Sequence, residues 1–297
     1  MLTALIGNTW GGRMQDTLLE FIKDQSQDAH LMGLQEVNRS GAITQFDPFY
    51  VTNKSDLKNG WHDQIMLNQF EMLKRTAGLK FRSMYAVENT QTYACATSGK
   101  EFRNTDYGNA LFFSRSLQII DQGEVFVLGS HNQQLGNASS SRIMQYVVFR
   151  YGSELYLFAH YHGVWYQDPE TMSTKSDGSI RITQSANISS ALERIAEKHG
   201  VSKIVFGGDL NLDLDTHAIS MLEQGTVAGN MPMRNLIREY REYGITGTRT
   251  ELYRDYGKAG MSLYADYMFV SGDVNVHGFE LIGAEVSDHM QMKLLFS

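Results

Sequence analysis

Short apolar runs that end in polar side chains recur along this chain, and they constrain its fold more than any other feature. Residues 201–206 have the length and composition of a buried strand, and the glycines at 207–208 are expected to break it before Asp209 and Asn211. The Ser-Asp-His motif at 287–289 stands just before the last apolar run, which predicts a final strand. Carboxylate, amide and imidazole groups at strand ends are the usual components of a hydrolytic site on an α/β scaffold.

The hydrophobic periodicity predicts strand-helix-strand units at the start and around 181–206, and strand hairpins in the middle and at the end. Strands are predicted at 2–7, 30–35, 78–87, 109–114, 143–150, 154–159, 201–206, 263–270, 274–282 and 291–296, helices at 14–23, 63–73 and 180–199, and a polar loop at 129–141. This order of elements indicates an α/β fold with mixed sheets inside and helices outside.

The composition points to one large domain. Of the 297 residues, 42% are hydrophobic, and only three prolines and no linker-like segment interrupt the chain, so we expect a single domain over 1–297. No apolar run approaches 20 residues, and the first six residues already read as a strand. Neither membrane insertion nor a signal peptide is therefore expected, and we expect a cytoplasmic protein. Cys95 is the only cysteine, which excludes an intrachain disulfide.

Seven motifs follow one another along the chain, each at a predicted strand end. They are Ile-Gly-Asn-Thr-Trp-Gly around Asn8, Gly-Leu-Gln-Glu-Val around Glu36, Gly-Asn-Ala-Leu-Phe-Phe-Ser-Arg at 108–115, Tyr-His-Gly at 161–163, Gly-Asp-Leu-Asn at 208–211, Ala-Asp-Tyr-Met-Phe-Val-Ser at 265–271 and Ser-Asp-His at 287–289. In this order they resemble the endonuclease/exonuclease/phosphatase superfamily, the metal-dependent phosphodiesterases related to pancreatic deoxyribonuclease. Each motif alone is weak, but seven in the family's order over essentially the whole chain are specific. The segment 244–249 resembles uncharacterised bacterial members.

The resemblance implies a four-layer α/β sandwich, in which two mixed β-sheets pack face to face with helices outside. It also implies a divalent cation, Mg²⁺ or Mn²⁺, because carboxylate and amide oxygens suit these hard ions. The implied metal-binding residues are Glu36, Asn8 and Asp288, the catalytic residues His162, Asp209, Asn211, Asp266 and His289, and the substrate-binding residues Asn8, Trp10, Asn109 and Arg181.

Each implied role has a chemical reason. Asp209 would orient or deprotonate the attacking water, and Asn211 would steady that water and a phosphoryl oxygen. His289, oriented and charged by Asp266, would bind a phosphoryl oxygen. His162 would protonate or stabilise the leaving oxygen.

Several neighbouring residues allow more than one interpretation. His160 and His162 form a His-x-His pair that could suggest zinc, but no thiolate lies nearby in sequence and the carboxylates favour harder cations. Arg181 opens the predicted helix at 180–199, where an Arg-x-x-Gln spacing could hold a phosphate and brace a loop, or could simply be an ordinary helix turn. Trp10 and Trp165 could stack on a nucleobase, but packing in the core or at the rim explains them equally well.

The predicted function is metal-dependent hydrolysis of a phosphoester by a monomer, with a nucleic acid or nucleotide as the expected partner. The net charge of −7 argues against broad electrostatic capture of long duplex DNA, so a phosphodiesterase or nuclease acting on single-stranded or small nucleotide substrates is the first choice. Trp10 stands where family members acting on abasic or duplex DNA often carry an acidic residue, which argues against a repair endonuclease. The enzymatic alternative is a phosphatase or phospholipase-C-like hydrolase of inositol phosphates, phosphoinositides or sphingomyelin, and a binding protein with an inactive site is the non-enzymatic one.

Overall fold

The computed structural model describes residues 1–41, 43, 47–52, 64–130, 134–135, 138–165, 176–225, 232–253 and 263–297. The strands in these residues are β1 (Leu2–Asn8), β2 (Leu31–Ser40), β3 (Tyr50–Thr52), β4 (Gln64–Met66), β5 (Phe81–Ala94), β6 (Glu101–Ser114), β7 (Gln118–Leu128), β8 (Gln134–Leu135), β9 (Ala138–Ser140), β10 (Arg142–Tyr151), β11 (Glu154–His162), β12 (Lys203–Asp209), β13 (Met233–Asn235), β14 (Asp266–Ser271), β15 (Val276–Ile282) and β16 (Gln291–Phe296). The α-helices are α1 (Gln15–Gln25), α2 (Gln69–Ala77), α3 (Ser179–His199), α4 (His217–Gln224), α5 (Leu236–Glu239) and α6 (Glu251–Tyr253), and Trp10–Gly12 and Tyr240–Tyr243 form short 3₁₀-helices.

Two six-stranded sheets dominate the architecture. The first has the order β15-β16-β1-β2-β6-β5 and the second the order β13-β14-β12-β11-β10-β7. Both are mixed, because β1 runs parallel to β2 and β11 runs parallel to β12, whereas the other neighbours in each sheet are antiparallel. The two parallel pairs are joined by crossover segments that contain α1 and α3, respectively.

The packing of apolar side chains defines four layers. The largest core cluster joins residues of both sheets, such as Ile6 and Leu111 from the first and Val147 and Phe158 from the second. On the outer face of the first sheet, α1 and α2 bury residues spaced three or four apart, and α3 and α4 do the same on the second sheet. The predicted four-layer α/β sandwich is thus confirmed. Among the described residues, no helix combines the length and the apolar composition that crossing a membrane requires.

The predicted helix at 63–73 is partly wrong. In the structure, Gln64–Met66 forms β4, which pairs with β3, and the helix begins only at Gln69. Asn68 separates the two elements, because its side chain accepts a hydrogen bond from the Phe49 amide and donates one to the carbonyl oxygen of Asp47. This long-range contact fixes a turn that the local sequence pattern does not reveal.

Several predicted strand ends also differ from the structure. The glycines at 207–208 do not break β12, which continues to Asp209 because a residue without Cβ can approach the neighbouring strands closely. The strand predicted to end at Glu36 runs on to Ser40, and the strands predicted at 78–87 and 109–114 are each extended to 14 residues. The predicted loop at 129–141 contains β8 and β9, while 131–133 and 136–137 lie outside the described residues.

Candidate active site

Four polar side chains stand at the ends of neighbouring strands, which brings them to one end of the two sheets. Asn8 is the last residue of β1, His162 the last of β11, Asp209 the last of β12 and Asp266 the first of β14. In the register of the second sheet, His162 lies opposite Asp209, and Asp209 lies opposite Asp266. Three functional groups from three adjacent strands are therefore placed side by side.

Two further carboxylates of the site, those of Glu36 and Glu88, belong to residues at β-bulges. The register of β2 against β6 shifts at Glu36, and that of β5 against β6 shifts at Glu88, so β2 and β5 each carry one extra residue relative to β6. Both bulges adjoin the pairs that Gly108 of β6 forms with Val37 and Val87, and a Cβ at Gly108 would come within 1.9 Å of the Ala86 carbonyl oxygen. A bulge re-aims the side chain of the extra residue, and it does so here with Glu36 held at a φ of 57°.

The amide of Asn8 connects the two acids nearest to it. Its Nδ2 lies 3.0 Å from Glu36 Oε1 and 3.0 Å from Asp209 Oδ2, while its Oδ1 accepts a hydrogen bond from the Trp10 backbone amide at 2.8 Å. In this arrangement the nitrogen of the amide faces the carboxylates, and a nitrogen of this kind does not bind a cation. The amide thus orients Glu36 and Asp209, and direct metal binding by Asn8 remains a prediction.

A group of side chains with the composition of a metal site surrounds this amide. Ligand atoms of Glu36, His162 and Asp209 all lie within 4.8 Å of one another. Burial by itself raises the pKa of Asp209, but the charges of His289, Arg249 and His162 outweigh it and lower that pKa to about 2. Asp209 is therefore a carboxylate at any ordinary pH. Two carboxylates beside an imidazole suit a divalent cation, so the residues present fit such an ion.

His289 is paired with a buried carboxylate behind it. Its Nδ1 lies 3.0 and 2.9 Å from the two oxygens of Asp266, and the ring is only 2% exposed. Burial and the charge of Arg249 lower the pKa of His289, but Asp266, Asp288 and Asp209 together raise it above its ordinary value. Burial also raises the pKa of Asp266, against the opposing effect of His289.

His162 has a similar carboxylate partner on the first sheet. Its Nδ1 lies 3.4 Å from Glu88 Oε2, and Glu88 also contacts Arg142 Nη1 and accepts a hydrogen bond from Asn109 Nδ2 at 3.0 Å. Burial raises the pKa of Glu88, but Arg142 and His162 outweigh it, so that the pKa is lowered overall. Two histidine–carboxylate pairs thus flank Asp209, one on each side.

His160 has a different environment from His162. Its ring is fully buried, with Nδ1 3.0 Å from Gln35 Nε2 and Nε2 3.0 Å from the side-chain amide of Gln145. Burial lowers the pKa of His160 to about 3, although Glu88 opposes the effect. Among the described residues it belongs to neither group of possible metal ligands, and both of its ring nitrogens face side-chain amides.

Comparison with known proteins identifies the scaffold that carries this geometry. A model of the endonuclease/exonuclease/phosphatase family matches residues 7–289. The chain belongs to this family. Metal-dependent hydrolysis of phosphoesters is the chemistry of the family, and the predicted resemblance is confirmed. No curated protein sequence matches the chain significantly.

Solved structures share the fold of this family member at low sequence identity. A mannosyl-6-phosphatase from Bacteroides thetaiotaomicron superposes with a TM-score of 0.66 and 13% identity, covering 100% of both chains. The human Nocturnin catalytic domain, solved with a bound sulfate anion, gives a TM-score of 0.61 and 13% identity over 100% of this chain and 94% of its own. Caenorhabditis elegans TDP2 gives a TM-score of 0.59 and 15% identity over 99% of this chain and 96% of its own. At such identities the likeness shows the fold.

The remaining predicted site residues differ in their contacts with the central acids and in their exposure. Asn211 follows Asp209 closely, since its backbone amide donates to Asp209 Oδ1 at 2.9 Å and its φ is 52°. Asn109 donates to Glu88, and its own Oδ1 has no hydrogen-bond partner among the described residues. Trp10 is only 7% exposed, whereas Trp165 is 59% exposed.

The helix that follows the His162 strand braces two loops. Gln184 accepts a hydrogen bond from the Val164 backbone amide at 2.9 Å, and its Nε2 lies 3.5 Å from the Leu210 carbonyl oxygen. Arg181 is fully buried and donates to the carbonyl oxygen of Ser176 at 3.2 Å. The bracing predicted for the Arg-x-x-Gln spacing is present at Gln184, while contact of Arg181 with substrate remains a prediction.

Four residues of the site were missed by sequence reasoning. Glu88, Tyr107, Arg142 and Arg249 all contact or face predicted site residues. The Tyr107 ring centroid lies 6.3 Å from that of His162, and burial together with Glu36 raises the Tyr107 pKa well above its ordinary value. One available signal was a lone glutamate directly after a predicted strand at 78–87. Arg249 ends the segment 244–249 that the resemblance singled out, but no role was assigned to it. Arg142 had no local signal, because it meets its partner Glu88 across 54 residues of sequence.

Proposed function

We propose that this chain is a hydrolase of phosphoesters that uses Mg²⁺ or Mn²⁺. The observation that carries the proposal is a carboxylate, Asp209, held ionised between two histidine–carboxylate pairs and beside Glu36. Phosphoryl transfer needs a neutralised phosphate, a positioned water and a stabilised leaving oxygen. This arrangement offers one group for each of these tasks.

The proposed metal ligands are Glu36 and Asp288, with Asn8 aligning the carboxylates. Glu36 keeps 24% of its side chain exposed, and the buried Asp288 Oδ1 has no hydrogen-bond partner among the described residues, so both can turn an oxygen to an ion. When bound, the cation would supply Lewis-acid stabilisation of the phosphate charge. Oxygen ligands favour Mg²⁺ or Mn²⁺ over zinc.

The chain's own residues take the other roles. Because its pKa is about 2, Asp209 is a weak base, and it acts mainly by holding the attacking water in line, with Asn211 steadying that water. His289 binds a phosphoryl oxygen through its imidazole ring, which is positively charged because its pKa is raised and which Asp266 orients. His162, held by Glu88, serves the leaving oxygen on the opposite side. Trp10, Asn109 and Arg181 remain proposed substrate contacts.

For the substrate class, we propose small or single-stranded nucleotide phosphodiesters. The net charge of −7 supports this choice, because long duplex DNA is captured mainly by clustered basic groups. A phosphomonoesterase is the second candidate. The burial of Trp10 favours it, because a ring that is 7% exposed offers little surface for stacking on a base. A mannosyl-6-phosphatase with the same fold shows that the scaffold accommodates such a reaction.

The sequence-based expectations of one domain, a monomer and a cytoplasmic location also stand as proposals. The single domain is supported by the core cluster that draws apolar residues from both sheets.

The function is tested with matched phosphomonoesters and phosphodiesters of one small aryl alcohol and one nucleoside, assayed with Mg²⁺, with Mn²⁺ and with excess EDTA. We expect turnover with either metal, loss of turnover in EDTA, and a loss of at least about 100-fold in Glu36→Ala while its thermal unfolding temperature is retained. The exposed change Glu71→Ala, on the helix surface, is the control and should keep full activity. Full turnover in excess EDTA would contradict the proposal, and turnover of monoesters only would favour the second candidate.

A further inference from the structure

A buried arginine lies inside the acidic site. Arg249 is 8% exposed, and its Nη1 lies 3.0 Å from Asp288 Oδ2 and contacts Nε2 of His289. Its guanidinium stands 4.5 Å from the ring centroid of Tyr253. Burial disfavours the charge of Arg249, and the neighbouring Asp288, Asp209 and Asp266 favour it. The side chain is therefore a permanent cation among three carboxylates.

The backbone on both sides of Arg249 is fastened to the site. Thr250 donates its backbone amide to the Asp288 carbonyl oxygen at 3.1 Å and its hydroxyl to the Ser287 carbonyl oxygen at 2.9 Å. Thr248 accepts hydrogen bonds from the backbone amides of Ala265 and Asp266, each at 3.0 Å. Arg249 is thus held by the two segments that carry Asp266 and His289, and its position is built into the fold.

The described residues contain a second group with the composition of a metal site, formed by Asp209, Asp266 and His289. In this group Nδ1 of His289 lies against Asp266, while Nε2 faces Asp209 Oδ2 at 3.5 Å and is contacted by Arg249 Nη1. A second metal ion could bind the ring only by displacing Arg249. The guanidinium lies next to Nε2 of His289, which is the nitrogen that would coordinate such an ion.

The charges of the buried site lead to the same conclusion. Five carboxylates belong to it, namely Glu36, Glu88, Asp209, Asp266 and Asp288, and two arginines, Arg142 and Arg249. One divalent cation leaves a single negative charge uncompensated, whereas a second would leave a surplus positive charge. A second ion would therefore reverse the sign of the remaining charge without reducing its magnitude, and its own desolvation would be an added cost, so the charges of the carboxylates and arginines favour one ion.

We propose that Arg249 takes the place of a second metal ion, so that the protein binds a single divalent cation, on the Glu36 side of Asp209. The inference rests on the metal-dependent activity proposed above and specifies its metal content. The guanidinium supplies positive charge to the His289 side of the site without leaving the protein. It is a positioning and charge-supplying residue, held by Asp288.

The test counts bound Mn²⁺ by electron paramagnetic resonance and by equilibrium dialysis, with no substrate present. We expect one Mn²⁺ in the wild type, one in Arg249→Lys, which keeps the charge, and two in Arg249→Met, with the spectrum of a spin-coupled pair. Arg103→Met removes an exposed arginine that is paired with Glu101, and it should keep one ion. Circular dichroism and the thermal unfolding temperature establish that each variant is folded.

The outcomes separate this inference from the function on which it rests. Two Mn²⁺ ions in the wild type would overturn the role of Arg249 and leave metal-dependent hydrolysis standing, and this readout holds even if Arg249→Met fails to fold. A folded Arg249→Met that still binds one ion would also overturn it. No bound Mn²⁺ in the wild type would overturn both proposals.

Discussion

At the scale of residues, two histidines separated by one position have different environments. His160 and His162 lie on the same face of β11, but His160 is enclosed between amides while His162 lies between Glu36 and Glu88. The chemistry of an imidazole therefore depends on its partners, and those partners come from other strands.

We predict opposite consequences for removing each of these rings. His160→Ala should cost about 2–4 kcal/mol of the free energy of unfolding, the usual range for emptying a core position, and leave turnover per folded molecule within about tenfold of the wild type. His162→Ala should reduce turnover by at least about 100-fold with a smaller loss of stability. Urea unfolding and steady-state kinetics on both variants check this. A larger loss of turnover in His160→Ala than in His162→Ala would show that their roles are reversed.

His160 should also make the protein sensitive to acid. Burial lowers its pKa to about 3 in the folded state, whereas the unfolded chain protonates it near 6.5. The stability contribution is thus complete above pH 6.5 and is lost as the pH falls from there towards 3. We expect His160→Gln, which keeps an amide in the cavity, to lose less stability than the wild type between pH 7 and pH 5 in urea titrations. An equal loss in both proteins would contradict this assignment.

The pair of His289 and Asp266 should control the alkaline limb of the pH–rate profile. Asp266 raises the pKa of His289, so the charged ring persists above its ordinary pKa, and the benefit is lost as the pH rises through the raised value. In Asp266→Asn we expect the alkaline limb of kcat/KM to move to lower pH. Asp121→Asn is a matched control, because Asp121 pairs with His199 outside the site at 2.7 Å and its loss should leave the profile unchanged. An unshifted alkaline limb in Asp266→Asn would refute this link.

At the scale of elements, two β-bulges next to the pairs of Gly108 position two acids of the site. They deliver Glu36 and Glu88 from two different strands to the same level of β6. The sequence predicted Glu36 from its motif but placed it at a strand end, and it predicted the strand at 78–87 to stop just before Glu88. Bulges depend on pairing with a partner strand, so periodicity within one strand cannot reveal them. The regular elements were predictable because their apolar spacing is local, as in α1 and α3.

Gly108 should be sensitive to substitution for this reason. In Gly108→Ala the new Cβ would lie 1.9 Å from the Ala86 carbonyl oxygen, so a strand must shift, and we expect a loss of at least about 2 kcal/mol in unfolding free energy together with weaker Mn²⁺ binding. Gly278→Ala is the control, since its Cβ would meet nothing closer than 3.8 Å in β15 of the same sheet. Chemical denaturation and Mn²⁺ titration measure both effects. Equal behaviour of the two variants would contradict the proposed role of the bulges.

At the scale of the whole molecule, buried charge and surface charge have different consequences. One divalent cation and two arginines would offset most of the charge of the carboxylates in the site, while the chain as a whole carries a net charge of −7. The family and the four layers could be predicted from seven short motifs, because their order along the chain is itself informative. The roles of Arg142 and Arg249 could not be predicted, because their carboxylate partners are distant in sequence and become neighbours only when both sheets have formed.

The net charge leads to a prediction about substrate form. We expect a single-stranded oligonucleotide to be cleaved at least as fast as a duplex of matched sequence at fixed salt and Mg²⁺, because little counterion release is available to favour the duplex. The measurement compares initial rates for the two forms, with a small aryl phosphodiester as the reference substrate. A preference of tenfold or more for the duplex would refute the charge argument.

The bulge at Glu36 also decides which face of a strand each later residue occupies. Leu34 and Val37 are three positions apart, yet both pack in the core cluster beneath the first pair of helices, which a regular strand would not allow. A strand that kept all ten residues but lost the bulge would therefore turn Val37 towards the opposite sheet and invert every side chain after it. Deleting one residue at position 35 would instead straighten β2 and keep Val37 in its core cluster, so the side chain that such a deletion would displace is Glu36 of the candidate active site.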